Sequence, residues 1–116
     1  MADQGQLEPF RKSWVADYPD AENFLALFYS KNHAPVGVNR FRFTNSEFDA
    51  LYEASLLTTS DSARYAMYQQ MDQIVMREAP VVPLFYDESV RLVQKNVEGL
   101  TSNPMNLLNL KRVKKQ

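Results

Sequence analysis

Three acids and three aromatics fall within residues 13–25, SWVADYPDAENFL. Asp17 is the residue whose setting suggests chemistry. It comes directly after Trp14-Val15-Ala16, and a carboxylate sheltered by an indole pairs with an ammonium more strongly than one in open water, because the local dielectric is lower. Trp14 would give the bound group a flat apolar wall. The same residues admit a plainer role. An aspartate ahead of Tyr-Pro-Asp is a turn and capping residue whose oxygens accept from the next few amides. Residue spacing leaves both roles open. A third idea, an oxygen-donor metal site from Asp17, Asp20 and Glu22, is disfavoured: the glycine-bearing loop of a calcium hand is absent, and acids collect at helix starts for electrostatic reasons of their own.

Little else in the chain points to chemistry. His33 is the single histidine and there is no cysteine, so neither a histidine dyad nor a thiolate metal site can be assembled. Three glycines, Gly5, Gly37 and Gly99, form no phosphate-binding loop. Met67, Met71 and Met76, with Tyr65 and Tyr68, read as core packing of one helix. We therefore expect a protein that is not an enzyme and needs no metal or cofactor. Net charge is −1, which argues against a nucleic-acid binder. The charge is uneven: residues 1–88 carry 7 basic and 13 acidic groups, residues 89–116 carry 6 and 1. That reversal suggests two segments with different surroundings. "KRVKK" (111–115) reads as a solvated tail.

The elements that must position Asp17 can be read from pattern. "FRKSWVA" alternates weakly and predicts a strand over 10–16. Asp17 to Asp20 is a turn, since Pro19 keeps Tyr18 out of the helical region and Asp20 can cap the next helix. That helix, over about 20–29, places Phe24, Leu25, Leu27 and Phe28 on one face. "SKNHAPVGVN" is a loop and "RFRF" a short strand. Thr44 and Glu47 have the spacing of a capping box for a helix to about Leu56. Ser60 or Asp61 caps a longer helix to about Glu78, with Tyr68, Met71, Ile74 and Val75 at core spacing and Pro80 as its stop. The period then becomes two, predicting strands over 81–86, 89–94 and 107–113, with a turn at "SNPMN". These elements make an α/β fold, with helices packed on a partial sheet.

"WVADYPDAENFL", "NSEFDALYEAS", "RYAMYQQMDQIVMREAPVVPLFYDESVRLVQKNVEGL" and "NPMN", in this order, resemble the carboxyl-terminal end of dipeptide- and oligopeptide-binding proteins. These are the extracytoplasmic solute receptors of peptide/nickel-type ABC importers. The resemblance covers residues 9–113 and implies a carboxyl-terminal fragment of a two-lobed periplasmic-binding-protein fold, with Met1 an internal position or an introduced start. It further implies that residues 1–88 belong to the ligand-binding lobe and that residues 89–116 cross the hinge into strands of the other lobe. In such receptors the aspartate of Trp-x-x-Asp holds the ligand's α-ammonium. The resemblance therefore assigns ligand binding to Asp17 and Trp14, and to Arg11 as a partner for a ligand carboxylate. The implied partners are a peptide or other amine-bearing solute and an ABC permease. The implied location is the periplasm or cell envelope, although "MADQGQLEP" has no secretory-signal pattern. The rival reading is a small α/β interaction module that self-associates through exposed strand edges, its basic tail meeting the acidic body of a second copy.

Overall fold

The computed structural model describes residues 10–103 and 106–116; the lead-in expected over 1–8, and Pro104 and Met105 of the expected "SNPMN" turn, lie outside the described residues. Three helices carry the core: α1 (Glu22–Leu25), α2 (Ser46–Leu57) and α3 (Asp61–Glu78). A 3-10 turn, Ser30–Asn32, lies between α1 and α2.

Local chemistry sets the helix bounds. Asn45 lies in the extended region and its side chain accepts from the Phe48 amide (3.0 Å), so α2 is capped one residue later than the expected Thr44 box. Glu47 does not reach back to complete that box and instead faces Arg77 at 3.7 Å. Ser60 caps α3 through the Ala63 amide, and the helix ends at Ala79, which is left-handed (φ 48°, ψ 46°) and donates to Val75 O at 2.8 Å. Pro80 then prevents continuation. The helix expected over 20–29 is shorter. After Leu25 the bonds tighten to i→i+3 (Leu27 N to Phe24 O, Phe28 N to Leu25 O), and the chain turns away.

Helices α2 and α3 pack as an antiparallel hairpin. Phe48, Tyr52 and Ser55 are buried at helical spacing on α2, and Tyr68, Met71, Ile74 and Val75 on α3, the α3 set being the one its spacing predicts. Phe48 and Met71 are wholly inaccessible. Aromatic edges close the other side: Phe43 meets Phe48 edge-on at 5.7 Å, Phe28 stacks on Phe41 at 5.4 Å, and Tyr29 stacks on Tyr52 at 4.4 Å. Phe24 was expected on the core face but is exposed, while Leu25 and Leu27 are buried.

The loop between α1 and α2 is held by polar staples. The Asn39 amide nitrogen donates to Tyr29 O and Phe43 O, both at 3.0 Å, from a fully buried position. Asp49, on α2, accepts from the Ser30 amide (3.1 Å) and hydroxyl (2.5 Å), capping the 3-10 turn from across the fold. His33 Nε2 is 3.0 Å from Phe43 O; a carbonyl only accepts, so this nitrogen carries the proton.

Helix and strand are both present, but the sheet expected beneath the helices does not form among the described residues. Residues 10–16, 81–86, 89–94 and 107–113 pair with no ladder. A strand needs a neighbour for its amides and carbonyls, and these segments have none among the described residues. The ladder that does form is short and antiparallel: β1 (Val97–Glu98) with β2 (Lys114–Lys115), in register Val97 with Lys115 and Glu98 with Lys114. Gly99 makes the sharp exit from β1. Its φ is +78°, and a Cβ there would stand 2.1 Å from Arg112 O. Val82, Leu84, Phe85, Tyr86, Val90 and Leu92 are each more than 60% exposed. The radius of gyration is 18.1 Å, against roughly 13–14 Å for a compact domain of this length.

The left-handed Ala79 supplies a test of the helix end. Ala79→Gly removes the Cβ strain there and should stabilise the fold by about 0.5–1 kcal/mol, read as a higher urea midpoint at unchanged slope. A lower midpoint would show that Ala79 is not left-handed in solution.

Candidate functional site

Asn23, in the first turn of α1, is buried to 4% exposure and organises the segment before it. Its Oδ1 accepts from Trp14 Nε1 at 2.7 Å and from the Asp17 main-chain amide at 3.3 Å. One carboxamide oxygen thereby ties down both the indole and the backbone of the Trp-x-x-Asp run. The run stays near α1 without any strand ladder.

Asp17 itself is exposed. Its carboxylate makes no hydrogen bond or ion pair among the described residues, so the turn-and-cap role falls elsewhere. Asp20 takes it: its Oδ1 accepts from the Glu22 amide at 2.9 Å, and its Oδ2 lies 3.3 Å from Arg64 on α3. Glu22 accepts from the phenols of Tyr18 and Tyr52. The three acids of this run therefore divide, two bound internally and one open to solvent.

The internal pair leaves its mark on neighbouring phenols. Burial, and after it Glu22, pushes the Tyr52 hydroxyl far above the usual tyrosine range. Burial and Asp20 raise Tyr68 to about 12. The Tyr52 phenol donates to Glu22, which fixes α1 against α2, and the Asp20–Arg64 pair ties the start of α1 to α3.

Trp14 is half-buried, with Lys12 Nζ 4.9 Å from its ring centroid. Arg11 is exposed and directed elsewhere, its guanidinium 5.5 Å from the Phe85 ring centroid. Trp14 and Asp17 thus share an anchor in Asn23, whereas Arg11 joins the extended segment. A cleft of about 410 Å³ lies nearby, lined by Ala21, Phe24, Leu25, Tyr68, Gln69, Asp72 and Tyr86. None of Arg11, Trp14 and Asp17 lines it. Asn23 was not singled out from the sequence. An asparagine in the first turn of a short helix is ordinary, and only its burial reveals its task.

Comparison with known proteins gives the segment its relatives. No protein-family model matches the chain. It is 34% identical over 89 residues to the Escherichia coli protein named probable deoxycholate-binding periplasmic protein YgiS, covering 77% of this chain and 16% of that protein. It is 27% identical over 101 residues to dipeptide-binding protein DppE of Bacillus subtilis, covering 87% and 18%. With di/tripeptide-binding protein 2 of Pseudomonas aeruginosa the identity is 28% over 110 residues, covering 95% and 21%. The chain belongs to the dipeptide/oligopeptide-binding family of solute-binding proteins. It spans about a fifth of the length of the family members it matches. Names within this family cover both peptides and deoxycholate, so family membership alone does not fix the solute.

Asn23→Ala tests the anchor. Loss of the carboxamide leaves a half-buried indole N–H without its acceptor, and we expect a cost of about 1–3 kcal/mol. Trp14 is the only tryptophan, so its emission should shift to the red as the ring is released. Unchanged emission would show that the indole is held by something else.

Proposed function

We propose that this chain forms part of the ligand-binding wall of a periplasmic receptor that captures peptides, or similar amine-bearing solutes, for an ABC-type importer. Residues 1–88 belong to the ligand-binding lobe of a two-lobed clamp. Residues 89–116 cross the hinge near Asp87 to Val90 and supply terminal strands to the other lobe. Asp17 pairs with the ligand's ammonium, Trp14 walls the adjoining side chain, and Arg11 assists at a ligand carboxylate. The observation that carries this reading is the state of Asp17: its backbone is anchored through Asn23 while its carboxylate is exposed and unengaged among the described residues. A fixed anion with open valences suits an incoming cation, and lobe closure would then remove water and strengthen the pair. Closure is driven by ligand contacts made only in the closed state. The work is binding and release, without covalent chemistry. The course of residues 82–93, largely exposed and outside any strand ladder among the described residues, supports a crossing segment that meets strands from the other lobe.

The test compares an alanine dipeptide bearing a free amine with its N-acetylated form, by ¹H–¹⁵N spectra of this chain. The free dipeptide should move the Asp17 amide and Trp14 indole signals with a midpoint of roughly millimolar, since much of the clamp is not supplied by these residues. The acetylated form should not, and Asp17→Asn should abolish the difference. Equal response to both peptides would contradict the assignment of Asp17.

A second reading, self-association through strand edges, is favoured by one observation: the apolar side chains of residues 82–92 and Leu107, Leu108 and Leu110 are exposed. Size-exclusion chromatography with light scattering should then give a dimer whose population ignores added dipeptide. A monomer at all concentrations would remove this reading.

A further inference from the structure

We propose that the hollow at the root of the β1–β2 ladder is an oxyanion site, taking a carboxylate or phosphate group. It is lined by Gly99, Thr101, Asn109, Lys111 and Arg112 and measures about 230 Å³, the volume of about seven or eight waters at roughly 30 Å³ each.

Its groups are overwhelmingly donors. Lys111 and Arg112 bring two cations, and neither side chain makes a hydrogen bond or ion pair among the described residues. Thr101 adds a hydroxyl. Asn109 Oδ1 already accepts from the Lys111 amide at 3.1 Å, which leaves the Asn109 amide nitrogen as its unengaged group. No acid competes. Residues 99–116 contain neither Asp nor Glu, and Glu98, the single acid of residues 89–116, accepts from Gln116 Nε2 at 2.9 Å.

The backbone holds these donors together. The left-handed Gly99 turns the chain so closely against Arg112 O that any side chain there would collide, and the β1–β2 ladder fixes residues 97–98 against 114–115. A guanidinium and an ammonium at one hollow, supported by a hydroxyl and an amide, suit the oxygens of a small anion. The +5 balance of residues 89–116 concentrates anions near it. Asp17 is not among the residues that line it.

The experiment titrates the ¹⁵N-labelled chain with sodium phosphate, and in a second arm with sodium acetate, at constant ionic strength. Saturable shifts should centre on Gly99, Thr101, Asn109, Lys111 and Arg112. Saturation by either anion upholds the site and shows which oxyanion it accepts. The double variant Lys111→Gln, Arg112→Gln should raise the midpoint about tenfold or more, the size expected when charge-assisted hydrogen bonds are lost. Lys114→Gln with Lys115→Gln should move it less than about twofold, since those residues contribute backbone to the ladder and do not line the hollow. Preserved Val97 and Gln116 amide shifts confirm that the ladder persists in each variant. Shifts linear in both anions, shifts equal at Lys114 and Lys115, or shifts that track protein concentration would overturn the proposal.

Discussion

The candidate site depends on one buried oxygen. Asn23 Oδ1 accepts from both the Trp14 indole and the Asp17 amide, and those two bonds hold the Trp14–Asp17 run, which joins no strand ladder, at the N-terminal end of α1. Burial makes the arrangement obligatory. Asn23 is almost inaccessible, and a carboxamide placed there without partners would carry a desolvation penalty of about 1–3 kcal/mol. The helix therefore recruits the segment to satisfy its own polar group, and Asp17 is positioned as a result.

The surrounding acids show why Asp17 differs from its neighbours. Asp20 meets the Glu22 amide and Arg64, Glu22 meets two phenols, Asp49 caps the 3-10 turn, and Glu53 meets Tyr29 and Lys31. Each of these carboxylates ties two elements together around the Phe48–Met71 core. Their contacts are geometric as much as energetic, since several lie near the surface, where ion pairs contribute little. The Asp17 carboxylate ties nothing among the described residues and faces solvent.

The legible parts of the fold were those decided locally. Ser60 and the Tyr68, Met71, Ile74, Val75 stripe marked α3, and the start of α2 was placed to within one residue, Asn45 taking the cap expected of Thr44 because both residues accept well from a helix amide. Strands were the weak point. Alternation over 81–86, 89–94 and 107–113 reports a segment suited to a sheet, whereas a ladder also requires a partner, and none of the described residues supplies one. Trp14 and Asp17 were grouped on the family resemblance, and the structure gives them a shared anchor in Asn23. Asn23 and Asn39 were not, because a buried polar anchor has the same sequence signature as a surface asparagine. Arg11 was grouped with the pair on resemblance, and its partner here is Phe85.

The relatives it matches are several times longer than this chain, and residues 82–93 join no strand ladder among the described residues. The helical half has its own core and internal polar contacts, so the Asn23 anchor should persist independently of any partner for the extended half. The most direct measurement is solvent exchange of the Trp14 indole N–H by NMR. If Asn23 holds the indole, exchange should be slowed well below that of a free indole, and a cross-relaxation contact to the α1 protons should be present. Exchange at the free-indole rate with no such contact would mean that the Trp14–Asp17 run is unanchored, and that nothing holds Asp17 ready for a ligand.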